Sequence, residues 1–347
     1  MNFVSIVAAT GVAAISGSAA LAADHQPRRL EEIVVTATPL GDVLQPSEVL
    51  DGERLLLRTA PTLGETLAGE LGVNSSYFGP AASRPVIRGL SGSRVKMLSD
   101  SVSTLDVSDV SPDHAVAVEP LLADQIEIIR GPATLLYGSA AAGGVVNVTD
   151  SRIPQTLPER VVSGGFELRG DTAAEERAAV GRLDGRVGSV GWHIDGFTRE
   201  TENIDIDGFA TADPAERPDD EEKGTLANSY SESDGFAGGL SWVGDRGYVG
   251  ASVSQLDQTY GLPGPEEEEE EGGDEPERFE GPFLDMEQTR IDIRGEYRFD
   301  EGAFESVRLA YGTNDYEHSE IEPSGEVATL FENDAWQARL EVVHSPW

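Results

Sequence analysis

From residue 160 onward the chain alternates, residue by residue, between an apolar and a polar face. In Ile291-Asp292-Ile293-Arg294-Gly295-Glu296-Tyr297-Arg298-Phe299 the odd positions are apolar or glycine and the even ones are all charged. A period of two marks β-strands, because successive side chains leave opposite faces of a sheet. Val307, Leu309 and Tyr311 repeat the pattern, and so do Trp336, Ala338, Leu340 and Val342. About eight strands are predicted, near 160–170, 176–187, 190–199, 229–243, 247–258, 288–299, 305–317 and 331–343. Their links alternate in length. Gly188-Ser189, Gly244-Asp245-Arg246 and Asp300 to Phe304 are tight, whereas the links after the third and fifth strands run to roughly thirty residues, the asymmetry of a transmembrane barrel with short periplasmic turns and long outer loops. Residues 160–347 are therefore expected to be an antiparallel barrel wall with apolar residues outward.

Charge follows the same division. The formal net charge is -38, and -30 of it lies from residue 160 on. Residues 200–228 hold 10 acids against two bases, and residues 259–287 hold 12 against one. The second stretch contains Glu266, Glu267, Glu268, Glu269, Glu270 and Glu271, six carboxylates in a row. Such a run is either a solvated segment or a cation-collecting loop, since clustered carboxylates raise the local cation concentration. A chain this acidic is not expected to bind nucleic acid. It contains no cysteine, which excludes disulfides, thiolate metal sites and cysteine nucleophiles, so any metal ligand must be oxygen or imidazole. Past residue 25 no apolar run reaches the roughly 20 residues of a spanning helix, a test that a barrel escapes.

The first residues read as an export signal. Val4 to Ala23 is apolar or small, Ala20-Leu21-Ala22 supplies the small residues a signal peptidase requires, and polar Asp24-His25-Gln26-Pro27 follows, giving a signal peptide over 1–23. Within the leader 24–39, Glu31-Glu32-Ile33-Val34-Val35-Thr36-Ala37-Thr38-Pro39 is a β-branched run suited to adding a strand to a partner's sheet edge. Residues 40–155 read as a small α+β unit. Leu63, Leu67 and Leu71 predict a short helix after Pro61-Thr62, Arg84 to Leu90 and Arg94 to Leu98 a strand, a turn and a strand, and Val116 to Leu122 a helix. Gln125 to Arg130 is then a strand, Gly131-Pro132 a turn, Ala133 to Tyr137 a helical turn, and Gly143 to Val148 a tight turn and a strand. Phosphate cradling by Gly143-Gly144 is set aside because no lysine follows.

Three of these segments carry a resemblance. The Ile33, Val34, Val35, Thr36, Ala37, Thr38 box, Arg84-Pro85-Val86-Ile87-Arg88-Gly89, and Ile126-Glu127-Ile128-Ile129-Arg130-Gly131-Pro132 with Leu135-Leu136-Tyr137-Gly138 through Gly143-Gly144-Val145-Val146-Asn147-Val148 resemble the TonB box and plug of TonB-dependent outer-membrane receptors. Ser111-Pro112-Asp113-His114-Ala115-Val116 looks most like the zinc-uptake branch. The resemblance implies an α+β plug domain followed by an antiparallel transmembrane β-barrel that usually closes with 22 strands, of which this chain holds the first eight or so. It further implies an outer-membrane importer, no enzymatic cofactor, and a TonB-type energy-transducing protein as partner at Ile33 to Thr38.

Candidate cargo ligands are few, for the chain has five histidines. Asp113 and His114 lie in the plug, and Glu317 and His318 at the outer end of the seventh strand. Two carboxylates and two imidazoles would be chemically adequate for zinc, and the resemblance favours the plug pair. In zinc-uptake receptors the loop after a sequence like Tyr260-Gly261-Leu262-Pro263-Gly264 is rich in histidine. Here it has none, which suits harder cations at least as well. The rival cargo is a ferric siderophore or haem. A signalling receptor would carry a further domain before the box, and a barrel enzyme would need a Gly-x-Ser-x-Gly nucleophile with a nearby histidine; neither pattern is present.

Overall fold

The computed structural model describes residues 47–215, 217, 221–263 and 281–344. The expected signal peptide, the Ile33–Thr38 box and the Glu266–Glu271 run lie outside these residues. Among the described residues no helix is long and apolar enough to cross a membrane, which says nothing of crossing by strands.

The first half is a small mixed sheet with short helices. Its strands are β1 (Glu48–Asp51), β2 (Val73–Ser75), β3 (Pro85–Ile87), β4 (Val95–Ser99), β5 (Val102–Ser103), β6 (Gln125–Ile129) and β7 (Gly144–Thr149), with helices α1 (Gly52–Leu56) and α2 (Leu63–Leu67). The central sheet runs in the order β1-β6-β7-β4-β5, and β2 and β3 form a separate hairpin. Only β4 and β7 pair in parallel within the central sheet. Leu50, Leu67, Ile87, Ile126, Ile128 and Val146 are fully buried in one core between the sheet and the helices. Thr62 caps α2, its hydroxyl accepting from the Glu65 amide. That helix stops at Leu67, and Leu71 is exposed, because Gly69 and Gly72 take positive φ and turn the chain away. At Gly144 a Cβ would sit 2.8 Å from the Ile87 side chain, so the second glycine of the pair serves close packing.

The predicted helix over 116–122 is not formed. The segment is irregular, with a tight turn in which the Val118 amide donates to the Val116 carbonyl at 2.7 Å, and it ends in one 3-10 turn, Pro120–Leu122. Pro120 has no amide to give to a helix, and the Ala117 amide is taken by the Asp106 carboxylate at 3.0 Å. The stretch is apolar on both sides because it is packed on both: Val116 enters the plug core, while Leu121 and Leu122 meet Ala178, Val180 and Phe197 of the second half. Residues 131–137 are 3-10 rather than α.

The second half is one antiparallel sheet. Its strands are β8 (Val162–Gly170), β9 (Arg177–Val187), β10 (Val190–Thr201), β13 (Ser231–Gly244), β14 (Gly247–Gly261), β15 (Phe283–Arg298) and β16 (Phe304–Ile321), and a small hairpin, β11 (Ile204–Asp205) and β12 (Thr225–Leu226), stands in the link between β10 and β13. Each long strand pairs with its sequence neighbours. The eighth strand is interrupted. β17 (Val327–Glu332) and β18 (Ala335–His344) both pair with β16 in one continuing register, Glu317 facing Glu332 and Asn314 facing Ala335. Between them Asn333 turns inward and donates to the Leu105 carbonyl at 2.8 Å. Strands lengthen from nine residues in β8 to 18 in β16; about 9–11 tilted residues cross the hydrocarbon, so the later strands project beyond it.

The two faces differ as the alternation requires. Ile291 and Ile293 are 45% and 36% exposed, whereas Arg290, Asp292 and Arg294 between them are buried against the plug. Phe236, Leu240, Trp242, Trp336 and Leu340 also stand on the outer face. The inner face grips the plug through ion pairs and carbonyl contacts. Arg294 meets Asp100 at 2.7 Å, Arg199 meets Glu119 at 2.9 Å, and Arg182 meets Asp124 at 2.8 Å. Arg290 donates to the carbonyls of Ser103 and Thr104, and Asn314 to that of Leu105. Buried pairs add little net stability over apolar packing, but breaking one strands a charge. They fix where the plug sits.

Candidate metal centre

The site lies where the plug loop 106–119 meets the upper part of β16. His114 is fully buried, and its ring is held from both sides: Nδ1 lies 3.1 Å from the Val107 carbonyl and Nε2 lies 3.0 Å from Glu320 Oε1. A carbonyl only accepts, so Nδ1 carries the hydrogen. In the neutral imidazole, Nε2 then turns a lone pair toward a carboxylate oxygen. Two acceptors facing each other need a cation between them, either a proton or a metal ion.

His318 completes the cluster. Its Nδ1 lies 2.9 Å from the Tyr316 hydroxyl, and its Nε2 is buried with no partner among the described residues. The two imidazole centroids are 4.4 Å apart, and Phe331 sets its ring edge-on to both. One ligand atom from each of His114, His318 and Glu320 falls within 4.8 Å of the others. In a tetrahedral zinc shell with bonds of about 2.1 Å, ligand atoms lie about 3.4 Å apart, so closure needs up to about 1.4 Å of adjustment. Glu320, with a side chain 30% exposed, has the freedom to provide it.

Of the four ligands expected from sequence, the structure brings His114 and His318 together. Asp113 is not part of the trio: its carboxylate is held by the Ser111 hydroxyl and its carbonyl accepts from the Tyr260 hydroxyl at 2.8 Å. Glu317 stands on the outer face, exposed. Neighbours on a strand point to opposite sides, so Glu317 and His318 cannot share a site, whereas His318 and Glu320, two apart, can. Sequence reasoning misses Glu320, although the same alternation that identifies the strand picks it out. Phe331 carries no sequence signal, since its position depends on the pairing His318–Phe331 across β16 and β17.

Above the site the outer links are drawn together. Asn228, with φ of 55°, donates from its amide to the carbonyls of Leu262 and Pro282 at 2.9 and 2.7 Å. The Leu262 amide also donates to Pro282 at 3.1 Å. The neck of the acidic loop is thereby closed between β14 and β15.

Comparison with known proteins places this architecture. Residues 39–145 match the family described as the TonB-dependent receptor plug domain. The chain carries the plug domain of a TonB-dependent receptor. From β8 on, its strands form an antiparallel sheet of the kind found in outer-membrane β-barrels. The vitamin B12 transporter BtuB of Photobacterium profundum is 29% identical over 247 residues, covering 67% of this chain and 37% of that protein. Among solved structures, the copper transporter OprC superposes with a TM-score of 0.64 at 15% identity, over 83% of this chain and 41% of that one. A mutant of the ferric enterobactin receptor PfeA from Pseudomonas aeruginosa does so at 0.56 and 16%, over 89% and 46%. The chain thus spans less than half the length of these relatives, and at such identities the solved structures speak for the fold alone.

Proposed function

We propose that this TonB-dependent receptor is a transporter that imports a divalent metal ion, zinc foremost, across the outer membrane. The observation that carries the reading is the convergence of His114 from the plug with His318 and Glu320 from the barrel wall, with a buried His318 nitrogen lacking any partner among the described residues. Two imidazoles and a carboxylate are a borderline-soft donor set that zinc or copper fills and that calcium or magnesium does not favour. The relatives' names include metal ions and metal complexes, so family membership is compatible with this cargo without selecting it. Residues Ile33 to Thr38 would pair with the energy-transducing partner in the periplasm, and Glu266 to Glu271 would gather cations at the mouth.

The test is metal uptake by cells relying on the full-length receptor. His114→Ala should abolish zinc-limited growth and leave iron-limited growth unchanged. Normal growth of that variant without zinc, with failure on a ferric siderophore as iron source, would replace this reading with a siderophore receptor.

A further inference from the structure

Resting on the metal-site reading above, we propose that Tyr260 is the positioning residue that presets His114 for its ion. Tyr260 closes the outer end of β14 and is fully buried among Ala81, Ala82, Ala115 and Leu284. Its hydroxyl donates to the Asp113 carbonyl at 2.8 Å and accepts from the Ala115 amide at 2.9 Å. These two groups flank His114 on either side. A single phenol from the barrel wall therefore clamps the two peptide units between which the ligand side chain is hung.

The sheet register gives the clamp its meaning. Tyr260 pairs with Leu284 across β14 and β15, and Leu284 pairs with Glu320 across β15 and β16. The clamp and the carboxylate ligand thus occupy one rung of the ladder, two strands apart, a separation of about 10 Å fixed by hydrogen-bonded strand spacing. Seen from the wall, the height of His114 over Glu320 and His318 is set by where the Tyr260 oxygen stands. Coordination tolerates errors of only about 0.2 Å, whereas the backbone bond of His114 itself, its amide on the Ser111 carbonyl, is long at 3.4 Å, and the Val107 carbonyl at 3.1 Å orients the ring but does not set the backbone's height against the wall. Without the hydroxyl, the loop keeps its packing and loses its height.

The experiment is zinc titration of the purified receptor and of Tyr260→Phe, which keeps the ring and removes only the oxygen. Supporting groups of this kind cost about 10–100-fold in metal affinity when removed, and a loss of at least tenfold is expected. The same substitution in a His114→Ala background, titrated to millimolar zinc where the His318–Glu320 pair still binds, should cost less than twofold more, because there is no longer a ligand to position. Leu284→Ala, which loosens the same apolar cluster, should lower the melting temperature without matching the affinity loss. Unchanged affinity in Tyr260→Phe, equal losses in both backgrounds, or an equal loss in Leu284→Ala would overturn the role of Tyr260. Absence of zinc binding by the unsubstituted receptor would instead overturn the metal site, and this inference with it.

Discussion

Two adjacent residues on β16, Glu317 and His318, should behave as opposites. His318 faces the plug with its Nε2 unpartnered among the described residues, and Glu317 faces outward. His318→Ala removes one of the three proposed ligands, and because merely supporting groups already cost up to about 100-fold in affinity, the loss should be at least that large. The consequence for stability follows from linkage, in which a ligand stabilises by RT ln(1 + [L]/Kd). At zinc set to 100 times the unsubstituted dissociation constant, the stabilisation is about 2.7 kcal/mol. A 100-fold weaker site at the same concentration retains about 0.4 kcal/mol, the RT ln 2 of a half-filled site. Thermal unfolding in detergent, with and without zinc, reads this directly: a clear upward shift for the unsubstituted receptor and for Glu317→Ala, and almost none for His318→Ala. Without metal, His318→Ala should cost less than an ordinary core truncation, since it removes a buried nitrogen that has no partner among the described residues. A zinc shift kept by His318→Ala, or lost by Glu317→Ala, would refute the assignment of faces and of the site together.

Val35→Pro, which removes a backbone donor from the extended box, should abolish uptake while leaving zinc binding to cells intact, as measured with radioactive zinc. Single cysteines in this cysteine-free chain test the topology: on intact cells a membrane-impermeant thiol reagent should label Asp207→Cys in the long outer link and leave Asp245→Cys in the tight turn unlabelled, both positions being exposed. Arg294→Ala strands the buried Asp100 carboxylate, and should cost about 3–5 kcal/mol of plug docking by denaturant unfolding. Burial holds the Asp100 carboxyl well above the usual carboxylate range even with Arg294 in place. A group whose folded pKa is raised loses stability as pH rises through it, so the Arg294→Ala deficit should shrink on acidification; a deficit that grows would contradict the buried pair.

How much of this is legible in the sequence depends on whether the controlling contact is local. Alternation suffices for the wall: it identifies the strands, their two faces and the uneven links, because strand periodicity is a property of the backbone itself. It fails at Asn333-Asp334, where a plug carbonyl, that of Leu105, pulls the eighth strand apart. In the plug, β3, β4, β6 and β7 are readable, whereas the short strands β1, β2 and β5 are not, and β3 pairs with β2 rather than with β4. The 116–122 segment is not readable either, for its apolar residues are spread by burial on two opposing surfaces rather than by helical pitch, and only Pro120 hints at it. At the site, the histidines stand out by rarity, and Glu317 misleads because nearness in sequence is not nearness in space. Tyr260 is visible only as the start of a pre-loop motif, since its partners are 145 and 147 residues away.

In the proposed reading, the work is divided between the Glu266–Glu271 run and the trio His114, His318 and Glu320. Charges on the loop act through solvent, where screening at physiological salt sets a range of about 8 Å. In that reading they would enrich every cation nearby and distinguish none. His114 and His318 are buried and packed against Phe331, Glu320 is partly exposed, and in the proposed reading the three would discriminate through donor type. Between the two levels stand Asn228, which closes the loop's neck, and Tyr260, which ties the adjoining strand to the plug loop. In the proposed reading one ligand belongs to the plug and two to the wall, so the ion is itself a cross-link between them. Zinc–nitrogen bonds of about 2.0–2.1 Å do not stretch, and a plug displacement of even about 1–2 Å must take His114 out of the shell. In that reading capture would need no energy, and displacing the plug from the wall would release the ion.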